Sequence, residues 1–404
     1  MSNVCLYFQV HQPFRMRRYT VFDIGANGRY FDDAKNREIM QRVTQKCYLP
    51  ANRALRDVIA RQEDFKVAFS ITGTALEQFA EYAPAVMDSF EELAATGAVE
   101  FLSETSHHSL ASLFDESEFV RQVRMHQQLI KERLKQRPTV FRNTELMYDN
   151  KTAKLAQDLG FRGVLAEGAE RMLGGRSPNA VYAPANARHV RVLLKNYRLS
   201  DDIAFRFGDK SWGGYPLTAK KYASWVAASQ GECVNLFLDY ETFGEHKWEE
   251  TGIFSFLKQL PQELARKGVG FRWPSELARN DPAGMLDVPE PVSWADTDRD
   301  SSAWLGNRIQ RLAAERLYAL RKDVFATGEK ELIESWRRLS TSDHVYYMCT
   351  KKFADGDVHK YFNPYESPYE AFITYMNVLN DLAFRAGSRE NGTVGAALRR
   401  LLPL

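Results

Sequence analysis

No stretch of this sequence holds about 18 consecutive apolar residues, so no membrane-spanning helix is expected. The four cysteines, Cys5, Cys47, Cys233 and Cys349, are far apart and form no CxxC pair, which excludes a zinc ribbon and a dense disulfide framework. Cys5 and Cys233 sit inside apolar runs and read as small core residues. Charge of one sign is also scarce. The formal net charge is +2 and no lysine-arginine block occurs, so neither nucleic acid nor an anionic membrane is expected as the partner. GxGxxG and GxxxxGK[ST] loops are absent, as is a GxSxG elbow, which removes support for dinucleotide, nucleotide triphosphate and serine-hydrolase chemistry. HxxxH and HExxH spacings are absent too. The first residues, "MSNVCLYFQV", lack a basic segment followed by a signal-type apolar stretch, and with the widely spaced cysteines this points to a reducing, cytoplasmic setting. There is no internal repeat and no low-complexity segment.

What remains is an ordinary globular composition, 44% hydrophobic and 26% charged over 404 residues, more than one compact core usually holds. Short apolar runs of strand length recur at Val4–Val10, Phe65–Ile71, Val99–Leu102, Thr139–Phe141, Gly163–Ala166, Val190–Leu194, Ala204–Phe207 and Val234–Leu238. Helical spacing separates several of them. Residues 117–134 place Phe119, Val123, Leu129 and Leu134 on one face behind a cap at Ser117, and 151–159 end at Gly160. Alternating strands and helices predict a parallel sheet with its ligand site at the carboxyl ends of the strands. Seven or eight runs favour a (β/α) barrel over an open sheet. From about 285 the character changes. A connection rich in Pro and Asp, "DVPEPVSWADTDRDSSAW", leads to helical patterns at 303–325, 329–339, 367–386 and 393–402. The expected division is therefore a barrel over 1–285 and a helical unit over 286–404 packed on it.

Two carboxylates stand where such a barrel presents its chemistry. In "NLFLDYETFGEH" the run Leu236–Leu238 ends in Asp239. In "FRNTELMYDN" the strand Thr139–Phe141 is followed by Glu145, with Arg142 placed to hold a carboxylate ionised. Two acids at the ends of different strands can face each other across a cleft. That is what glycosidic bond cleavage needs: one attacks or activates water, the other protonates the leaving oxygen. Aromatics crowd the same loops, among them Trp212, Tyr215, Tyr240, Phe243, Trp248 and Trp273. Rigid rings beside polar groups suit sugar binding, although core packing accounts for the same residue types. Two other readings stay open. His11, His107, His108, Asp239 and His246 could hold a metal, as in a polysaccharide deacetylase, or the protein could bind glycogen without turnover. Asp355, Gly356 and Asp357 form a turn too sparse in acids for a calcium loop.

The motifs resemble glycoside hydrolase family 57, the α-amylase-like retaining enzymes. "HQP" at 11–13, "GAVEFLSETSHHSL" at 97–110, "FRNTELMYD" at 141–149, "LFLDYETFGEH" at 236–246 and "SAWLGNRIQ" at 302–310 are similar to its ordered regions. The resemblance implies a distorted seven-stranded (β/α) barrel followed by a C-terminal α-helical bundle that closes the cleft. It implies Glu145 as nucleophile and Asp239 as general acid/base, held at the close carboxyl spacing of a retaining site. His11 and Glu100 would bind the sugar at the reacting bond. His107, His108, Trp212, Tyr240, Phe243, His246, Trp304, Asp343 and His344 are the further substrate-binding candidates. No metal or other cofactor is implied, and the expected substrate is an α-1,4-glucan or malto-oligosaccharide. Glucanotransferase and branching activities use the same site. The length of 404 residues, short beside those enzymes, points to an α-amylase-type hydrolase.

Overall fold

The computed structural model describes residues 3–351 and 363–388. The turn at Asp355–Asp357 and the helix expected over 393–402 lie outside them. Among the described residues ten strands form two five-stranded sheets. In the first, β3 (Val99–Phe101), β2 (Val67–Ile71), β1 (Asn3–Val10) and β8 (Cys233–Asp239) lie side by side, with β9 (Gly270–Phe271) on the start of β1. In the second the order is β10 (Met285–Leu286), β6 (Val181–Pro184), β7 (Arg191–Lys195), β5 (Gly163–Glu167), β4 (Val140–Arg142). All pairings are parallel except β6 with β7. The sheets meet on two sides. A parallel bridge pairs Ser103, just beyond β3, with Phe141 of β4. On the other side Asn196 N–H donates to the Asn235 carbonyl and the Asn235 side chain donates back to that of Leu194, at 2.8 Å each. The strands thus curl around a shared interior in which Cys5, Tyr7, Leu102, Val140, Leu165 and Phe237 pack together.

Strands buried on both faces read as continuous apolar runs, which is why the sequence betrays them. Seven of the eight expected runs form strands; Ala204–Phe207 does not. Its apolar residues end the helix Tyr197–Ala204, capped by Asn196 through Leu199 N–H, and turn inward against the outer helices. The antiparallel strand β6 was not expected. The helix Glu116–Leu134 is capped by Asp115, not Ser117, because the Asp115 carboxylate accepts from Glu118 N–H. After residue 300 come helices at Ser302–Leu305, Arg308–Ala326, Lys330–Leu339, Ser342–Tyr346 and Pro368–Arg385. They share their own apolar core around Trp304, Leu317, Trp336, Tyr375 and Leu379. No helix among the described residues is long and apolar enough to cross a membrane.

One loop depends on a missing side chain. Gly244, five residues after Asp239, has φ +108°, and a Cβ there would lie 1.9 Å from the Lys46 carbonyl oxygen. That carbonyl belongs to a π-helical turn, Thr44–Tyr48, on which the loop rests. Gly252, with φ +82°, has open space around its Cβ position. Gly244→Ala is expected to cost at least about 2 kcal/mol, since backbone must move as well as strain. Gly252→Ala should cost about 1 kcal/mol from conformation alone. Urea unfolding of both variants checks the difference.

Candidate active site

The carboxyl ends of β1, β2, β3, β4 and β8 converge. Asp239 is the last residue of β8, partly exposed and in register with Gln9 of β1. Gln9 is tied down from both sides. Its side-chain Oε1 accepts from the Tyr7 and Ser70 hydroxyls at 2.8 Å each, and its side-chain Nε2 donates to Glu104 Oε1 at 3.0 Å. Glu104 Oε2 accepts from His108 Nδ1 at 2.9 Å, and His108 Nε2 reaches Glu145 Oε1 at 3.3 Å. A continuous chain of contacts therefore links the strand neighbour of Asp239 to Glu145.

Glu145 is 3% exposed and follows β4 in a turn that the backbone resists. Glu145 and Leu146 have φ of +56° and +50°, a region costing side-chain-bearing residues roughly 1–2 kcal/mol each. Neighbouring bonds hold the turn. Asn143 donates to Ser112 and to the Met147 carbonyl, and the Glu145 carbonyl accepts from Ser293 Oγ and Trp294 N–H. Its carboxylate accepts from Ser342 Oγ at 3.1 Å on Oε1 and from the Trp294 indole at 2.8 Å on Oε2. Strain maintained by surrounding contacts is a mark of a functional turn. The stretch read from sequence as a connection does local work: Tyr148 and Val292 form an antiparallel bridge that lays Trp294 against Glu145.

Other expected residues fall into groups. His11 Nε2 bonds Asp343 Oδ2 at 2.8 Å, its Nδ1 meets Thr72 Oγ1 at 3.1 Å, and its ring stacks on His108 with centroids 4.0 Å apart. His11, His108, Glu145 and Asp343 are thus brought together, and the helical part supplies Asp343 and Ser342 to the group. Burial and the neighbouring His108 lower the pKa of His11, so its ring is neutral, with Nε2–H donating to Asp343. His246 stays partly exposed in the loop after Asp239.

The remaining expected residues lie outside this group. Glu100 lies inside β3, in register with Ala68 of β2 and through it with Tyr7 of β1, two residues short of the level of Gln9 and Asp239, and its side chain bonds away from the site. It accepts from Ser275 N–H beside Cys5 and Glu276, next to the strand that pairs with the first residues of β1. Burial raises its pKa to about 7. Four residues of strand rise, roughly 13 Å, separate it from the level of Glu104, which is the acid that enters the site. Tyr240 and Phe243 are core residues behind β8, with the Tyr240 hydroxyl on Asn52. Trp212 packs edge-on against Trp225 of the helix Ala219–Ala228. Trp304 is fully buried among the C-terminal helices, against Tyr346. His344 is buried against Tyr375, and burial lowers its pKa to about 4. His107 bonds Ser106 and Glu334 between the curled sheets and the C-terminal helices. The set read as a metal site is not assembled, because His11, His107 and His108 bond different carboxylates. Among the described residues Glu77, His107 and Glu334 bring donor atoms within 4.8 Å, but Arg338 bridges both acids, at 3.0 and 3.5 Å.

Sequence reasoning missed Glu104, Glu241, Trp294 and Ser342 as members of the site. The i, i+4 pairing of Glu104 with His108 was a usable signal. Glu241 is buried two residues after Asp239 and accepts from the Tyr48 hydroxyl at 2.5 Å. Burial, then the charge of Asp239, raises its pKa to about 8, so Glu241 keeps its proton at neutral pH. Trp294 and Ser342 left no local trace.

The sequence matches the model for glycosyl hydrolase family 57 over residues 5–289. A protein of Methanocaldococcus jannaschii named "Putative alpha-amylase" is 44% identical over 395 residues, which cover 93% of this chain and 83% of the relative. The fold is similar to that of the 4-alpha-glucanotransferase from Thermococcus litoralis, with a TM-score of 0.69 and 14% identity over 95% of this chain; the chain spans 60% of that enzyme's length. The GH57-type branching enzyme from Pyrococcus horikoshii gives 0.68 at 14% identity, covering 97% of this chain and 92% of the other. The alpha-amylase AmyC from Thermotoga maritima gives 0.58 at 11%, covering 96% and 98%. The branching enzyme's coverage corrects the expectation from length, since a chain of this size does not separate hydrolase from branching enzyme.

Proposed function

The chain belongs to glycosyl hydrolase family 57, and from that premise we propose that it is a retaining enzyme of α-1,4-glucans, with Glu145 as nucleophile and Asp239 as general acid/base. The observation that carries this reading is the setting of Glu145: a strained turn at a strand end, with a carboxylate aimed by His108, Ser342 and Trp294. Those donors favour the ionised form, which a nucleophile needs. Asp239, more exposed and beside the protonated Glu241, is placed to trade protons with the glycosidic oxygen. We read the curled strands as a distorted seven-stranded barrel over 1–285. The helices of 286–404 complete its cleft, since Ser342 and Asp343 come from them.

In this mechanism Glu145 attacks the anomeric carbon as Asp239 protonates the departing oxygen. Asp239 then removes a proton from the acceptor, which breaks the glycosyl–Glu145 bond. Water as acceptor gives hydrolysis and favours the α-amylase assignment, in keeping with the name of the 44%-identical relative. A sugar as acceptor gives transfer on the same residues. Two inversions mean net retention, with the carboxyls about 5–5.5 Å apart in the substrate complex. Proton NMR of maltoheptaose cleavage should show the α-anomer first. A 5-fluoro glycosyl fluoride should leave a sugar on the peptide holding Glu145. First release of the β-anomer would mean direct displacement by water and would remove Glu145 as nucleophile. The product ladder from the same digest separates hydrolysis from transfer.

A further inference from the structure

His108 is enclosed by groups that leave it no role as a free sugar ligand. It is 2% exposed, and both ring nitrogens face carboxylate oxygens: Nδ1 toward Glu104 and Nε2 toward Glu145. An ionised carboxylate only accepts hydrogen bonds, so satisfying both contacts requires a proton on each nitrogen. The backbone holds the ring in this slot at a cost. His108 has φ +50°, its N–H donates to the Thr105 carbonyl, and its carbonyl accepts from Ser342 N–H. We propose that His108 is a positioning residue carried as an imidazolium between Glu104 and Glu145, which keeps the nucleophile ionised and aimed and leaves the proton traffic to Asp239. This rests on the nucleophile role proposed for Glu145.

The charges facing this ring support the assignment. Glu104 comes from the end of β3, Glu145 from the end of β4, and Asp343 from the helical part. Against these three anions stand Arg142 and Arg15, both buried. Arg142 lies inside the barrel with its guanidinium 4.7 Å from the Trp294 ring centroid. His11 stacks on His108 as a neutral ring, and His126 Nδ1 accepts from Glu104 N–H, a contact that only an unprotonated nitrogen makes. Two buried anions, Glu104 and Glu145, and the partly exposed Asp343 outnumber the two arginines, and an imidazolium at His108 places a positive charge directly against Glu104 and Glu145. The titration of the two partners agrees. Burial pushes His108 down, but its bonds to Glu104 and Glu145 outweigh that and raise it to about 9. Burial pushes Glu104 up, but the bond and charge of His108, then the charge of Arg142, bring it to about 2.

The test has two arms on the full-length enzyme. Nitrogen-15 NMR of histidine-labelled protein, with the His108 ring assigned by its loss in His108→Gln or its displacement in Glu104→Gln, should show both ring nitrogens protonated at pH 7 and 8. An unprotonated nitrogen at pH 7 overturns the proposal whether or not the protein turns over glucans. In the second arm, kcat/KM for maltoheptaose is followed against pH. His108→Gln should move the acid limb upward by about one pH unit, a tenfold loss at the acid end, with the alkaline limb unmoved. Glu104→Gln should do the same, because a neutral amide no longer holds the imidazolium. Lower turnover with both limbs in place means a merely structural His108 and also overturns the proposal. A protonated ring in a protein without glucan turnover would instead count against the proposed function alone.

Discussion

Glu145→Gln should lower turnover of malto-oligosaccharides by on the order of 10⁴-fold or more while leaving the fold intact. The amide keeps the shape of the side chain, so the strained turn and the carbonyl bonds to Ser293 and Trp294 survive. What goes is the anionic oxygen that bonds the anomeric carbon, and with it the covalent intermediate. The change should not show in unfolding midpoint or circular dichroism beyond a small shift. Glutamine relieves His108 of one ionic partner and offers one acceptor oxygen where the carboxylate offered two, so any stability change should come from the contacts with His108, Ser342 and Trp294. Wild-type-like hydrolysis by the folded variant removes Glu145 from the mechanism.

The second large effect belongs to Asp239, and its size should depend on the substrate. A general acid contributes in proportion to how badly the leaving oxygen needs a proton; such groups supply about 10²–10⁴-fold. Asp239→Asn should therefore slow cleavage of natural glucans by about 10³-fold. A glycosyl fluoride, whose leaving group needs little protonation, should lose much less in the first step. The surroundings support the division of labour. Glu241, pushed to about 8 by burial and by the charge of Asp239, keeps its proton when Asp239 is ionised as the base of the second step, so the two acids do not then repel as a pair of anions. Equal losses on both substrates would argue that Asp239 positions the sugar and donates no proton. Removing Glu241 as well, in Glu241→Gln, should change this pattern little, since the amide matches the protonated acid in charge.

The sequence by itself determined the strands and the two acids at their ends. Runs such as Val4–Val10 and Val234–Leu238 are buried on both faces, so they are apolar throughout and visible without a partner. Asp239 is legible because it interrupts such a run, and the family motifs then single out Glu145. Where a run's burial came from helix packing, at Ala204–Phe207, the same signal misled. Tertiary structure decided which neighbours surround the acids. Glu104 rather than Glu100 enters the site because it follows the bridge at Ser103 and bonds Gln9 and His108, whereas Glu100 lies back within the strand and bonds Ser275 N–H. Trp294 and Ser342 meet Glu145 across 149 and 197 positions of sequence, distances at which no local periodicity survives. Tyr240, Phe243 and Trp304 carry the residue types of a sugar site, yet they lie in cores, because an aromatic ring is equally at home against a sugar and against other rings. Only the packed molecule chooses between those surroundings. The same holds for the proton on His108, since it requires two carboxylates brought from different strands to one imidazole.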